Sequence, residues 1–399
     1  MDLHPEFRTT TMRVLYIAPK SPAPVIDGGC FAMMACLKGL SKLAEVDGII
    51  LETYKHPYTK ESERLLAPYL KNQTVVPMKT EINPAGALVN FIRRRNYNLS
   101  RFKSDQLYHV IAEKLREKYD FIVCDSVFAA AQLGHFDTSE LPPVIIRSHN
   151  VESEIWKLHA ALEGSVMKRF YLRQLEKTLR KEEIDILNKA SVLWAISEED
   201  LSWMLQHTQQ KNIHLLPVSV DLHPEIQVNY SNDSFFHLGS MDWKPNQEAV
   251  QFLVKKIWSD PSVSALKLFI AGSKSEHFRF YNSESIEVIG WVENSNTFMA
   301  QAGTLITPIR SGSGIRIKLL EAMALGVPCI TTTLGAAGID VEKSGIQIAD
   351  SQESFVEIVL KLHNNPAFRQ ELGEKSRDYI SKVHSFETCI AVMKETLEG

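Results

Sequence analysis

No apolar run in this chain reaches the roughly 20 residues needed to cross a bilayer, so no membrane span is expected. Cysteine is scarce. Cys30, Cys36, Cys124, Cys329 and Cys389 are odd in number, far apart, and form no CxxC pair. That excludes a disulfide framework and fits a reducing, cytoplasmic compartment. Positive charge is not in excess either: 44 Lys and Arg stand against 48 Asp and Glu, a net charge of −4. A nucleic-acid partner gripped through general basicity is therefore not expected. No internal repeat, low-complexity tract or aspartate-rich metal motif occurs. Residues 1–11 are polar and lack the apolar stretch of a signal peptide; they are expected to be a disordered leader before Met12.

The remainder has the composition of an ordinary soluble protein, with 44% hydrophobic and 23% charged residues. Its 399 residues suffice for two or three domains with sizeable cores. Short β-rich runs alternate with helical stretches. Strands are expected at 14–18, 48–52, 74–77, 121–124, 144–147, 192–196 and 214–217 in the first half. The second half has them at 235–238, 267–271, 286–289, 304–307, 329–332 and 347–349. A break at 218–233, rich in Pro, Asp, Asn and Ser, reads as a linker. The alternation predicts two α/β units of parallel sheets covered by helices, with ligand at the carboxyl ends of the strands.

The segment from Pro308 to Pro328 carries the most chemistry. An apolar strand is followed by Gly312-Ser313-Gly314 and then by a helix whose apolar positions are Ile315, Leu319, Leu320 and Met323. This order aims backbone N–H groups and the positive helix end at one point, where an anion such as a diphosphate is held. Gly312 and Gly314 permit close approach of the backbone. Arg316 and Lys318 add cations, and Glu321, two turns on, is placed to accept from a ribose diol. A Gly-Ser-Gly turn also serves as a plain tight connection, and the dinucleotide fingerprint is incomplete, because Ile317 stands where its third glycine would be.

The continuation, Leu319-Leu320-Glu321-Ala322-Met323-Ala324-Leu325-Gly326-Val327-Pro328, then an apolar strand and Gly335-Ala336-Ala337-Gly338-Ile339, is longer and rarer. It resembles the donor-site signature of retaining glycosyltransferases of family 4. Looser matches follow in order along the chain: the strand from Arg13 with Asp27-Gly28-Gly29, then Ser148-His149-Asn150-Val151-Glu152, then Ala195-Ile196-Ser197-Glu198. Phe236-His237-Leu238-Gly239-Ser240-Met241-Asp242-Trp243-Lys244-Pro245-Asn246 is close to a sugar transferase subgroup associated with polysaccharide export. The resemblance spans Arg13 to the C-terminus. It implies the GT-B fold, two Rossmann-like domains with parallel sheets facing a central cleft. Residues 12–218 would be the acceptor-side domain and 219–378 the donor-binding domain, with residues 379–399 a helix crossing back to the first.

It further implies that Gly28, Gly29 and His149 face the donor sugar, with His149, Arg316 and Lys318 at the reacting groups. Gly239, Ser240, Lys244, Trp291, Val292, Gly312, Ser313, Gly314, Ile315 and Glu321 would bind the nucleotide sugar. Each has a plainer reading: a structural histidine, ordinary turns, or core packing for Trp291 and Val292. Two positions depart from the family. Ser313 replaces the first of its two spaced glutamates, and Ser240 replaces an arginine, with Lys244 slightly out of register. The implied activity moves a sugar, with retention, from a UDP- or GDP-type donor to a glycan or lipid-linked acceptor in cell-surface polysaccharide synthesis. Neither metal nor cofactor is expected. A nucleotide-sugar epimerase on the same fold and a non-catalytic sugar-nucleotide-binding partner protein are the alternatives.

Residues 90–103 hold Arg93, Arg94, Arg95, Arg101 and Lys103 with no acid, interleaved with Phe91, Tyr97, Leu99 and Phe102. They read equally as a peripheral contact with anionic lipid on the inner face of a membrane, a solvated loop, or a patch for acceptor phosphate. Residues 154–189 form a charge-mixed helical stretch with a solvated face.

Overall fold

The computed structural model describes residues 12–312 and 314–398. The expected leader at 1–11 and the candidate Ser313 lie outside the described residues. The chain divides into two compact units: one runs to Val218 and takes in the residues from Ile390 onward, and the other spans Ser219–Cys389.

The first unit is built on seven strands: β1 (Arg13–Ala18), β2 (Glu45–Glu52), β3 (Asn72–Pro77), β4 (Phe121–Asp125), β5 (Val144–Arg147), β6 (Val192–Ala195) and β7 (Ile213–Leu215). They pair in parallel in the order β3-β2-β1-β4-β5-β6-β7. Runs such as Leu15-Tyr16-Ile17 and Ile145-Ile146 are buried because helices cover both faces of a parallel sheet. Strand β2 begins three residues before the expected 48. Its polar Asp47 is accommodated because the buried carboxylate accepts from Arg13 at 2.9 Å, Tyr119 at 2.8 Å and Asn72 at 2.7 Å. Five helices matter below: α1 (Gly28–Leu43), α2 (Pro84–Ile92), α3 (Glu152–Leu162), α4 (Val166–Leu187) and α5 (Glu198–His207). The expected helical stretch at 154–189 is thus two helices. They are broken around Gly164, and Ser165 caps α4 by accepting from the N–H of Lys168.

The second unit has six strands: β8 (Phe235–Leu238), β9 (Leu268–Ala271), β10 (Ile286–Gly290), β11 (Thr304–Thr307), β12 (Cys329–Thr331) and β13 (Gln347–Ile348). All pair in parallel, ordered β10-β9-β8-β11-β12-β13. Phe235, Val250, Ile270, Ile306, Ile330 and Phe355 lie in its core. Helices α6 (Lys244–Phe252) and α7 (Ile317–Leu325) follow β8 and β11, and α8 (Pro366–Val383) and α9 (Phe386–Glu398) end the chain. Residues of α9 beyond Ile390 pack in the first unit, where Trp194 donates to Thr396 Oγ1 at 3.2 Å.

In both sheets the strand order reverses beside the first strand of the unit, between β1 and β4 and between β8 and β11. At such a switch point the connecting loops diverge and leave a crevice at the strand carboxyl ends, where open α/β sheets bind ligands.

Candidate functional site

At the switch point of the second unit the strand ends are drawn together by glycine. Gly239 follows β8 and donates to Ala271 O at 3.1 Å, and Gly272 follows β9 and donates to Gly290 O at 2.8 Å. A Cβ on Gly272, whose φ is +117°, would sit 2.1 Å from Gly239 O, so no larger residue fits. Asn246 Nδ2 lies 2.4 Å from where a Cβ on Gly239 would be and donates to Ser240 O at 2.9 Å. Lys244 opens α6, exposed, with Nζ 3.5 Å from Glu248 Oε1. The other oxygen of Glu248 accepts from Ser311 Oγ at 2.5 Å, which ties the first turns of α6 to the loop after β11.

That second loop turns through Gly312 (φ +90°) and Gly314 (φ +83°). The Cζ2 of Trp243 lies 2.9 Å from where a Cβ on Gly312 would stand. The same indole carries the Arg316 guanidinium, 5.0 Å from its ring centroid. Arg316 occupies the N-cap of α7, a place usually taken by Ser, Thr, Asp or Asn, whose side chains accept from the first-turn N–H groups. A guanidinium has only donors and cannot do so. Cation and helix-end donors therefore share one corner, which is the chemistry of an anion site. Arg316 is only 9% exposed; burial lowers its pKa to about 10, and it stays charged at neutral pH.

The structure corrects three expectations here. Helix α7 begins at Ile317, so Ile315 lies in the loop and not on the apolar face of the helix. Glu321 is therefore its fifth residue and not two turns in. And Lys318 is already engaged, with Nζ 2.8 Å from Glu321 Oε2 and 3.4 Å from Ser295 Oγ, so the two side chains cancel in formal charge. Trp291 follows β10 and is 72% exposed, which removes core packing as its role; Val292 is half-buried.

At the switch point of the first unit, His149 belongs to a network that the sequence did not reveal. Asp125, wholly buried at the end of β4, accepts from Tyr16 O–H on β1 at 2.5 Å, from His149 Nε2 at 2.5 Å and from Arg147 Nη1 at 3.1 Å. Burial alone would push the Asp125 carboxyl up, but the charges of His149 and Arg147 outweigh it and bring it down to about 2. The carboxylate thus fixes the imidazole with Nε2–H turned toward it, leaving Nδ1 as the other polar atom of the ring. The loop bearing His149 is anchored where α3 starts: Glu183 of α4 accepts from the N–H groups of Glu152 at 2.8 Å and Ser153 at 3.1 Å. Asp125 and Arg147, charged residues that close otherwise apolar strands, are its local trace in the sequence, but nothing there pairs them with His149.

Gly28 and Gly29 open α1, which Asp27 caps by accepting from Cys30 N–H at 2.8 Å. Asp27 also meets Lys20 Nζ at 2.7 Å and His56 Nε2 at 2.8 Å. Burial would raise its pKa, but His56 and Lys20 hold the carboxylate well below the usual range. Asp27, Cys30 and His56 have the mutual spacing of a metal site, yet the Lys20 ammonium already supplies a cation to that carboxylate. A Cβ on Gly29 would come 2.9 Å from Lys20 Nζ. The second unit thus brings together Gly312, Gly314, Ile315, Arg316, Lys318 and Glu321 in one strand-to-helix corner, and the loop of Gly239, Ser240 and Lys244 is tied to it through Glu248. Trp243, which reads in the sequence as a residue ordering the loop after Gly239, packs instead against Gly312 and Arg316; Glu248 and Ser311 were missed there, as were Tyr16, Asp125 and Arg147 around His149.

Residues 232–365 match the family model described as "Glycosyl transferases group 1". Over 389 residues the chain is 22% identical to an uncharacterized 44.6 kDa protein in the cps region of Klebsiella pneumoniae, covering 93% of this chain and 96% of that one. Among solved structures it is similar to sucrose-phosphate synthase from Thermosynechococcus elongatus, with TM-score 0.67, 14% identity, and 97% and 98% of the two chains covered. Anabaena Alr3699/HepE in complex with UDP is likewise similar, with TM-score 0.66, 13% identity, and 97% and 100% covered. Residues 232–365 therefore carry a group 1 glycosyl transferase domain, and the chain has the two parallel-sheet α/β domains of GT-B glycosyltransferases.

Proposed function

We propose that the protein moves a sugar, with retention of anomeric configuration, from a nucleoside diphosphate donor to a glycan or lipid-linked acceptor in cell-surface polysaccharide synthesis. The observation that carries this is the corner at Gly312–Arg316: two left-handed glycines, an arginine held on Trp243, and a helix start whose cap residue has no acceptor. Departure of the diphosphate from C1 builds charge on its oxygens. Donors fixed beforehand at that point stabilise the transition state more than the ground state. In this reading Arg316 and Lys318 take the leaving phosphates. Glu321 exchanges its bond with Lys318 for one with the donor ribose, and Gly239, Ser240, Lys244, Trp291 and Val292 frame the nucleotide. The first unit takes the acceptor, with His149, braced by Asp125, beside the reacting sugar.

The Anabaena structure with UDP supports a uridine-type donor, and the Klebsiella cps-region relative supports the polysaccharide setting. Ser313, which replaces a glutamate of the family pattern, bears on donor choice, and Ser240, which replaces an arginine, leaves charge neutralisation to Arg316 and Lys318. The reaction needs neither metal nor cofactor in this reading, and the exposed part of 90–103, Arg93–Arg95, faces a membrane. The test is turnover of a panel of UDP- and GDP-sugars with acceptor lipid extract. Release of nucleoside diphosphate with a product of unchanged anomeric configuration by NMR supports the reading. An epimerised nucleotide sugar formed without acceptor contradicts it.

A further inference from the structure

Large apolar side chains are exposed on two neighbouring elements of the first unit. Helix α2 buries none of its residues; Leu88 and Ile92 stand one turn apart and are exposed, as is Ile82 just before the helix. The α3–α4 hairpin presents Leu162, Val166, Met167 and Phe170 at its closed end, with Met167 84% and Phe170 66% exposed. The two elements meet, since the rings of Phe91 and Tyr171 are 5.9 Å apart. A patch of this kind marks an interaction surface.

Its frame is cationic in a chain of net charge −4. Arg93, Arg94 and Arg95 end α2, and Lys168 and Arg173 lie on α4, all exposed. Exposed Glu81 precedes Ile82 and half-buried Glu163 lies within the hairpin end, but neither 84–103 nor 164–175 contains an acid, so the cations outnumber them. By contrast, the second half of the basic segment is structural. Tyr97 and Leu99 are buried, and Arg101 stacks on Tyr97 while donating to Thr80 O at 2.6 Å.

We propose that this surface docks the protein onto an anionic phospholipid bilayer. Leu88 and Ile92 of α2 and Val166, Met167 and Phe170 of the hairpin enter the boundary between headgroups and acyl chains, while Arg93–Arg95, Lys168 and Arg173 rest on lipid phosphates. Apolar area and cations on one face are what such a boundary rewards. A second copy fits worse, because a two-fold contact sets the same patch against itself and so brings cation against cation. The inference rests on the membrane-facing reading of 90–103, moves the contact to α2 and the hairpin end, and does not depend on the transfer chemistry.

The test uses the full chain and vesicles of phosphatidylcholine alone or with about a third phosphatidylglycerol. The expected result is co-sedimentation with anionic vesicles only. Partition should fall at least about tenfold in Leu88→Ser/Ile92→Ser, in Met167→Ser/Phe170→Ser and in Arg93→Gln/Arg94→Gln/Arg95→Gln. Turnover of a water-soluble acceptor should be unchanged in all three. A polarity-sensitive dye on Met167→Cys should shift to the blue on anionic vesicles; the native cysteines are all buried and do not compete. Three results would overturn the docking mode. The first is no partition at all. The second is partition lost only in the arginine variant with an unshifted dye, which would leave only a surface electrostatic contact of the basic segment. The third is dissociation of an oligomer by the serine variants in light scattering, which would make the patch an interface between copies.

Discussion

In the proposed reaction Arg316 would act through where it is held. It is stacked on Trp243 at the open end of α7, so it would meet a developing anion without first reorganising, and a fixed donor of this kind is worth about 3 kcal/mol, roughly a hundredfold in rate. Arg316→Ala is therefore expected to lower kcat with UDP-sugar donors by one to two orders of magnitude while the thermal midpoint hardly moves. Steady-state kinetics beside a melting curve checks both halves. In the first unit, Asp125 and His149 should separate stability from activity. Asp125→Asn leaves Arg147 buried without its counter-charge, and breaking such a pair costs roughly 3–5 kcal/mol. His149→Asn removes a partly exposed ring and should keep most of the stability but lose transfer. Denaturant midpoints and turnover of the two variants will show whether the burdens divide this way. The carboxylate that organises His149 was not legible in the sequence, because Asp125 is distant in the chain and contact requires the sheet.

Elements were far more legible than their ligands. All thirteen strands were anticipated, since buried parallel strands announce themselves as short runs of Val, Ile and Leu between helical stretches. The misses have physical causes. Strand β2 hides its start behind Asp47, whose partners come from β1, β3 and the segment before β4. The start of α7 was read too early because Ile315 continues an apolar spacing, whereas Gly314 at φ +83° keeps the chain out of the helix. Two glycines allow a direct test of that loop geometry. Gly312→Ala forces a left-handed alanine and brings its Cβ 2.9 Å from Trp243 Cζ2. A loss of about 1–3 kcal/mol is expected, read as a lowered melting temperature with a raised KM for donor. Gly272→Ala meets backbone at 2.1 Å and should prevent the second unit from folding at all. His237 on β8 gives the same unit a pH dependence. Burial lowers its pKa to about 4 although its Nδ1 is bonded to Ile306 O at 3.1 Å. The folded state thus binds its proton less readily than the unfolded state. Its stabilisation is complete above the ordinary value of 6.5 and is lost as pH falls toward 4, amounting to roughly 3 kcal/mol. Urea unfolding at pH 7 and pH 5 should show that decline, and His237→Phe should flatten it.

For the molecule as a whole, two units repeat one solution: a parallel sheet whose strand order reverses beside its first strand, with polar groups gathered where the loops part. The first unit places a buried carboxylate–imidazole–guanidinium cluster there, and the second a cation and a helix end. Sequence reading reached the second more fully than the first because its residues are contiguous, from Gly312 to Glu321, while Tyr16, Asp125, Arg147 and His149 come from three strands and the loop after β5. The proposed chemistry requires that the corner at Gly312–Arg316 grip a pyrophosphate. A crystal structure of the full chain grown with UDP or GDP settles it. The diphosphate is expected on the first-turn N–H groups of α7 and the Arg316 guanidinium. Nucleotide bound elsewhere, with that corner empty, would contradict it.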